Sequence, residues 1–163
     1  MITDPQIKTA LYDLIEPIVR PGLVYKRWEL GFNTANNVQM LTCPDEISLV
    51  TGKALLHAWM MTRKAAPSGA PQMGRSEPAW TYRLWGFLSY ETGPDDSNSE
   101  DRFNAEVDAV TAAVNRLPTL GLLDNSFLGH DGLQVLDLDT YPLGEEIVHL
   151  AKCELTLLLS DQF

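Results

Sequence analysis

The pattern of hydrophobic and polar residues predicts two amphipathic helices. Near the amino terminus, Asp4 and Pro5 form a typical helix start, a capping acid followed by proline at the first helical position. Apolar residues then recur at helical spacing: Ile7, Leu11, Leu14, Ile15 and Ile18. A second stripe follows a turn-rich segment, residues 92–99, and comprises Phe103, Val107, Val110, Val114 and Leu117. Pro21 ends the first helix and Pro118 ends the second.

Before and after the second helix, the pattern predicts strands. They are residues 23–32, 38–42, 55–64, 80–91, 133–138 and 146–160. Residues 55–64 fit helical and extended periodicity alike, and we prefer a strand because an aromatic partner strand follows. Residues 33–37 read as a polar turn. The pattern at residues 44–52 fits either a loop or a brief helical turn capped by Asp45.

The order helix, strands, helix, strands predicts an α+β domain. We expect a mainly antiparallel β-sheet with the N-terminal helix and the second helix packed on it. A chain of 163 residues has the length of a single domain, which we place at residues 1–163. Residues 65–78 are rich in Pro, Gly, Ser and Ala and lie between two predicted strands. They are expected to form a projecting β-hairpin arm of ~20 Å.

The predicted strand at residues 80–91 (WTYRLWGFLSYE) carries large apolar side chains on both faces. Successive side chains of a strand point to opposite sides of the sheet. One face carries Trp80, Tyr82, Leu84, Leu88 and Tyr90, and the other carries Arg83, Trp85, Phe87 and Glu91. A sheet with one face in water would alternate apolar and polar residues. Both faces of this strand therefore need cover, from a two-sided core or from another subunit.

Composition and charge narrow the function classes. The net charge of −10 argues against a protein that neutralises nucleic-acid phosphates over a broad surface, but it suits a lining past which DNA moves without binding. No apolar run approaches the ~20 residues of a membrane span, and no secretory signal precedes the first helix. We therefore expect a protein made in the cytoplasm. Cys43 and Cys153 lack close spacing and are expected to be reduced, buried thiols.

One polar segment raises the question of metal binding or acid–base chemistry. Residues 129–132 (GHDG) place His130 beside Asp131, and Asp137 and Asp139 follow, a set that would suit a small metal-dependent enzyme or ligand-binding domain. Two glycines around polar residues are, however, typical of a turn before a strand. His130 also lacks a second histidine at ligand spacing. The two aspartates share the strand face that we expect to be solvated.

The remaining histidines favour a structural role. His149 and Cys153 lie on one face of a strand, four residues and ~13 Å apart, which is too far for proton transfer. His57 beside Trp59 is typical of a core residue. Residues 51–53 (TGK) resemble the end of a phosphate loop, but the first glycine of that motif is missing. We therefore expect no enzyme, and no catalytic, cofactor-binding or metal-binding residue.

The sequence therefore favours a function in association with other chains. Basic residues bracket the predicted arm in an otherwise acidic protein, which indicates either a solvated hairpin tip or a contact with an acidic neighbour. Aromatic and basic side chains of the doubly apolar strand extend this region. The candidate partner or subunit interface comprises Arg63, Lys64, Arg75, Trp80, Arg83 and Trp85.

The organisation of the chain resembles the tail terminator proteins of long-tailed bacteriophages. The matching features are a first helix containing ALYDLI, an early aromatic strand with Trp28, a strand–arm–strand unit ending in AWTYRLWGFLSYETG, a helix FNAEVDAVTAAVNRL and a final strand IVHLAKCELTLLL. The resemblance covers most of the chain apart from residues 33–53. It rests on organisation, with no diagnostic catalytic or binding motif.

The resemblance implies an α+β structural virion protein of the tail and neck, assembled in the host cytoplasm. Such proteins form a homohexameric ring on the last ring of tail tube protein, stop its polymerisation and offer a surface to the head-side connector. DNA would pass through the lumen without specific binding, and no cofactor or membrane is implied. The arm at residues 65–78 would contact a neighbour or the tube. Three alternatives stay open: another neck component, the small enzyme or ligand-binding domain described above, and a cytosolic interaction module.

Overall fold

The computed structural model describes residues 1–64, 80–91 and 99–160. Within these ranges the chain forms three helices and a mixed, mostly antiparallel sheet of seven strands. This confirms the predicted α+β class. The predicted arm at residues 65–78, including Arg75, lies outside the described residues, as do residues 92–98 of the turn-rich segment at residues 92–99.

The three helices are α1 (Asp4–Val19), α2 (Thr34–Leu41) and α3 (Ser99–Asn115). The first and third confirm the predicted amphipathic helices. The cap of α1 is Thr3, one residue before the predicted Asp4. Its hydroxyl accepts the Gln6 N–H, and the Gln6 side chain accepts the Thr3 N–H at 2.9 Å, which satisfies two donors at the helix start.

The strands are β1 (Leu23–Tyr25), β2 (Thr42–Ile47), β3 (Ala54–Arg63), β4 (Trp80–Ser89), β5 (Phe127–His130), β6 (Gln134–Leu143) and β7 (Glu146–Leu159). The main path through the sheet is β1-β3-β4-β7-β5. In addition, β2 pairs with β3 and β6 pairs with β7. All pairs are antiparallel except β1 with β3. The predicted strands at residues 55–64, 80–91 and 146–160 are confirmed.

The region from residue 23 to residue 42 differs from the prediction. Only Leu23–Tyr25 of the predicted strand at residues 23–32 is extended in a sheet, and the predicted turn and strand at residues 33–42 give way to α2. Asn33 caps this helix by accepting the Asn36 N–H at 3.2 Å. Asparagine is as typical of a helix cap as of a turn, which explains the error.

The larger core lies between one sheet face and the helices α1 and α3. Its fully buried sheet residues include Trp59, Met61, Tyr82, Leu84 and Leu155. Five apolar residues of α1 are also buried there: Ile7, Ala10, Leu11, Ile15 and Val19. The alternation of β4 predicted from the sequence therefore points one set of its side chains towards the two long helices.

A smaller core covers the opposite face of the same strands. Leu41 of α2 and the half-buried Leu30 pack there against Met60 and Phe87. The prediction that both faces of β4 need cover is confirmed over the centre of the sheet, where the chain itself supplies the cover. Gly86 belongs to the face of the larger core, and the ring of Trp59 lies directly across its backbone.

Replacement of Gly86 by alanine is expected to destabilise the fold. An added Cβ would lie 2.6 Å from ring atoms of Trp59, which is fully buried, so the ring must shift within a packed core. We expect Gly86→Ala to lower the free energy of unfolding by about 1–3 kcal/mol in urea denaturation. Gly31→Ala, where an added Cβ meets nothing within 4 Å, is the control. Equal losses in the two variants would contradict this packing.

Candidate functional site

Strand β6 forms an exposed edge of the sheet. It pairs with β7 and, within the described ranges, with no other strand. Every residue of β6 except Leu143 is exposed. The exposed apolar side chains are Val135, Leu136, Leu138 and Tyr141, of which Tyr141 is 50% exposed. The strand therefore presents a row of main-chain hydrogen-bonding groups together with apolar side chains.

An aromatic groove of about 290 Å³ adjoins the β6 edge on the face of the smaller core. The groove is lined by Trp28, Leu30, Gly31, Asn37, Trp85, Phe87, Tyr141, Leu143 and Leu150. The rings of Trp28 and Trp85 meet edge to face at 5.3 Å between centroids. Two hydrogen bonds between Asn37 and the backbone of Gly31, at 2.8 and 2.9 Å, hold the segment that carries Trp28 against α2. The groove is preformed and apolar.

The predicted interface residues divide between the two sheet faces. Trp85 lies in the aromatic groove with Lys152 above its ring at 5.3 Å. Arg83 is on the same face and pairs with Glu154 at 3.2 Å. Arg63 lies on the other face, over the half-buried ring of Trp80 at 4.8 Å.

Lys64 directly follows β3 and is exposed, and Arg75 falls outside the described residues. The structure therefore does not bring the described members of this set into a single patch. It places Trp85 in the groove and Arg83 on the same sheet face, and it places Arg63, Lys64 and Trp80 near the carboxyl end of β3.

A buried ionic cluster joins three elements of the fold. His57 of β3 is 1% exposed and contacts carboxylates with both ring nitrogens. Its Nδ1 lies 2.5 Å from Glu46 of β2, and its Nε2 lies 2.7 Å from Glu106 of α3. Glu106 also accepts the indole N–H of Trp59 at 3.0 Å, and Glu46 pairs with Arg102 of α3. This His57 cluster ties α3 to the sheet through charged hydrogen bonds.

The protonation states in the cluster are fixed by the mutual contacts. Burial disfavours the imidazolium, but the hydrogen bonds and negative charges of Glu106 and Glu46 outweigh it and raise the pKa of His57 to about 9. Burial likewise disfavours the Glu46 carboxylate, yet His57 and Arg102 outweigh it and lower the pKa of Glu46 to about 2. His57 is thus a charged and fully bonded group, with neither nitrogen open to a substrate.

Sequence reasoning recognised His57 as a core residue but missed its two carboxylate partners. Glu106 stands three residues after Phe103 and directly before Val107, so it interrupts the apolar stripe of α3. A carboxylate on the buried face of a helix signals a buried cationic partner. Glu46 shows no comparable signal, because the pattern at residues 44–52 predicts no strand and therefore no buried face.

His149 contacts Ser99 at 2.8 Å, but the pair lacks the geometry of a nucleophile and its base. Ser99 Oγ accepts the Glu91 N–H at 2.7 Å and donates its proton to the Glu91 carbonyl at 2.9 Å. The remaining contact is therefore a donation from His149 Nε2–H to Ser99. Burial lowers the pKa of His149, which keeps its ring neutral.

Both cysteines are buried free thiols, in agreement with the prediction. Burial raises the pKa of Cys153 to about 12. A thiol with this pKa carries almost no thiolate at neutral pH and is a poor nucleophile.

The segment at residues 129–132 pairs with β7, and its His130 contacts the carboxyl end of α3. His130 Nε2–H donates to the Leu117 carbonyl at 2.9 Å, and its Nδ1 accepts the Gly132 N–H at 3.0 Å. Asp131 accepts the Thr156 N–H at 3.0 Å. His130 and Asp131 are thus both bonded to backbone groups of the fold.

The aspartates proposed as partners of His130 lie elsewhere along β7. His130 pairs with Leu157, whereas Asp137 pairs with Lys152, so the two positions are about 17 Å apart along the strand. Across the described ranges, no group of three or more His, Cys, Asp or Glu side chains is placed to hold a metal ion. The structure thus does not bring His130, Asp131, Asp137 and Asp139 together.

A second cleft, of about 460 Å³, lies between the loop after β2 and the start of α3. Ser48 is buried beneath it, accepts the N–H groups of Val50 and Thr51 and contacts Glu91. These bonds fix a loop whose tip carries the fully exposed Leu49. Ser48 thus serves the loop, while Glu46 and Arg102, which also line the cleft, belong to the His57 cluster.

The sequence matches no protein-family model and no curated protein. In the described part of the chain, no helix is long and apolar enough to cross a membrane.

The His57 cluster predicts a specific loss of stability at high pH. A raised folded-state pKa contributes stability in full below the unfolded value near 6.5 and loses it as the pH rises through about 9. We expect the free energy of unfolding to fall by about 3 kcal/mol more in the wild type than in His57→Gln between pH 6 and pH ~10. The measurement is urea denaturation at both pH values.

His130→Gln is the matched control for this experiment. It removes another histidine, whose ring bonds to backbone groups and not to carboxylates, so it should retain the loss of stability that the His57 cluster causes. A parallel loss in the wild type and His57→Gln would contradict the charged cluster.

Proposed function

We propose that this chain is a structural virion protein that forms a homohexameric ring on the tail tube of a long-tailed bacteriophage. The ring would stop polymerisation of the tube and join the tail to the head-side connector. The proposal combines the resemblance in sequence organisation with one structural observation, the exposed edge of the sheet.

The observation that carries the proposal is the unpaired edge of β6. Monomeric proteins protect such edges with short strands, lysines, prolines, bulges or a covering loop. This edge has ten residues and exposes Val135, Leu136, Leu138 and Tyr141. In the described part of the chain, its protection is limited to a bulge between Val135 and Asp137, two acidic side chains and Pro142 near one end. A strand of this kind favours pairing with another chain.

The aromatic groove beside β6 extends the same surface. Tyr141 and Leu143 of β6 also line the groove, so a partner that pairs with the strand would meet Trp28 and Trp85 next. Tryptophan and tyrosine are typical of contact centres because they bury a large area with few rotatable bonds. Tyr141 thus joins the edge to the groove on this face, whereas Leu138 is exposed on the opposite face of the strand.

The bonding of the histidines supports association over catalysis. His57, His130 and His149 each donate or accept hydrogen bonds within the fold. These bonds stabilise the fold and occupy ring nitrogens that a catalytic histidine would offer to a substrate. The apolar side chains of β6, by contrast, are exposed in the described structure.

The proposed mechanism is geometric. Copies joined by contacts between two different patches form a closed ring when the rotation between neighbours closes. The outer face of the finished ring then lacks the site to which the next tube ring would bind, so growth stops. The net charge of −10 per copy would let DNA move through the lumen without adhering.

Substitution of Leu138 by lysine tests this proposal. The change places a charge on an exposed apolar position near the centre of β6, where burial against a neighbour would be unfavourable. We expect the wild type to form rings near six times 18.2 kDa by light scattering and Leu138→Lys to remain monomeric. Tails assembled with the variant should have uncontrolled length in electron micrographs.

Ala112→Lys provides the matched control, because it adds the same charge at an exposed position of α3 away from β6. The control should form rings and give tails of normal length. Intact rings and normal tails with Leu138→Lys would contradict the proposal. Tails of normal length that fail to join heads would instead indicate another neck component.

A further inference from the structure

We infer that the partner of the β6 edge is the opposite edge of the sheet in a second copy of this chain. The inference rests on the proposed function and identifies the contact between neighbouring subunits. The two ends of the sheet carry opposite charges, and each has strand residues without a described neighbour on one side.

The end of the sheet away from β6 carries a basic corner. β1 and β3 run parallel with Tyr25 beside Met60, so both strands end at the same corner of the sheet. Exposed basic residues follow or end both strands. The basic corner comprises Lys26, Arg27, Arg63 and Lys64.

Part of the β3 edge at this corner has no strand beside it. β1 covers Ala58 to Met60, and β4 pairs on the other side as far as Arg63. Residues 61–63 therefore have a strand on one side and, as far as the described ranges extend, none on the other. Unpaired main-chain groups thus accompany the basic side chains.

The contacts inside the basic corner leave it with a positive balance. Lys26 lies against Thr9 and the ring of Tyr12, which are neutral groups. Arg63 lies over the ring of Trp80. Arg27 is paired with Glu29. Among the contacts of the described residues, the corner combines four basic residues with one acidic partner, in a protein whose net charge is −10.

The β6 end of the sheet carries the opposite charge. Asp137 and Asp139 project from β6, and Glu145 and Glu146 stand at its turn into β7, all exposed. We call these four residues the acidic edge. The cross-strand neighbour of Asp137 is Lys152, which lies over the ring of Trp85. The acidic edge thus remains negative after this one cation is counted.

Pairing of two β6 strands with each other is disfavoured by the same charges. A two-fold contact would place the acidic edge of one copy against the acidic edge of the other, and like charges on facing strands are destabilising. Contact between the acidic edge and the basic corner joins opposite charges and two unpaired strand edges. The acidic edge and the basic corner are two different patches of the same subunit. Contacts between different patches are the kind that forms rings.

Charge reversal on each side of the contact tests the inference. The acidic-edge variant is Asp137→Lys with Asp139→Lys, and the basic-corner variant is Arg63→Glu with Lys64→Glu. We expect each to weaken self-association by at least about tenfold in sedimentation velocity at ~50 mM salt. A chain carrying all four substitutions has both patches reversed and should recover most of the association.

Matched controls separate the contact from the effect of net charge. Asp101→Lys with Asp108→Lys reverses two exposed acids of α3, and Lys53→Glu with Arg116→Glu reverses two exposed bases elsewhere. Both controls should associate as the wild type does. The acidic-edge variant also reduces the net negative charge, which by itself would weaken the repulsion between copies. A loss of association in this variant therefore cannot be an effect of net charge.

The unaltered protein provides a second measurement that does not depend on any variant. Its rings should dissociate as salt rises from ~50 to ~500 mM, because exposed charge pairs are screened. Rings that form but ignore both charge reversals, or a four-substitution chain that fails to recover, would overturn the inference and leave the proposed function standing. A wild type that stays monomeric alone and on tail tubes would overturn both.

Discussion

The constraint on which the structure depends is that the central strands carry apolar side chains on both faces. One set of β4 side chains packs under α1 and α3, and the other set packs under α2 and the segment that carries Leu30. Covering both faces of the centre uses all three helices. The strand that extends the sheet beyond this covered region, β6, is left exposed on nearly every residue. β6 is thus exposed because the helices that bury the central strands do not extend over it.

The His57 cluster sets the position of α3 over this sheet. Apolar packing alone leaves a helix free to slide, whereas charged hydrogen bonds from His57 to Glu46 and Glu106 require one arrangement of β2, β3 and α3. The histidine ring also lies against Gly22, where an added Cβ would approach to 2.5 Å. The chain segment entering β1 is therefore packed against the same cluster. Buried charges of this kind stabilise one geometry at the cost of their desolvation.

Much of the fold follows from local sequence patterns, and the parts that do not have identifiable causes. The stripes of α1 and α3 and the apolar runs of β3, β4 and β7 are long enough for their periodicity to be decisive. α2 is short and rich in asparagine, so its residues fit a turn equally well. β5 has four residues including Gly129, which sits at a positive φ of 128°, and its segment reads as a turn.

The candidate site was predicted less completely than the fold. The exposure of Arg63 and Lys64 agrees with a partner contact, but the sequence offered no sign that β1 would bring Lys26 and Arg27 to the same corner. That proximity depends on a parallel pairing between distant segments. The length and exposure of β6 likewise depend on where helices end above the sheet. Such features arise from tertiary packing, which short-range patterns do not encode.

Amide hydrogen exchange along β6 is the most direct measurement of the central claim that another copy covers this edge. In the dispersed chain, the outward-facing amides of residues 137–141 should exchange rapidly, because no described strand lies beside them. In assembled rings, we expect strong protection of these amides and a matching gain of protection at residues 61–63. Unchanged exchange of both segments in assembled material would contradict this claim.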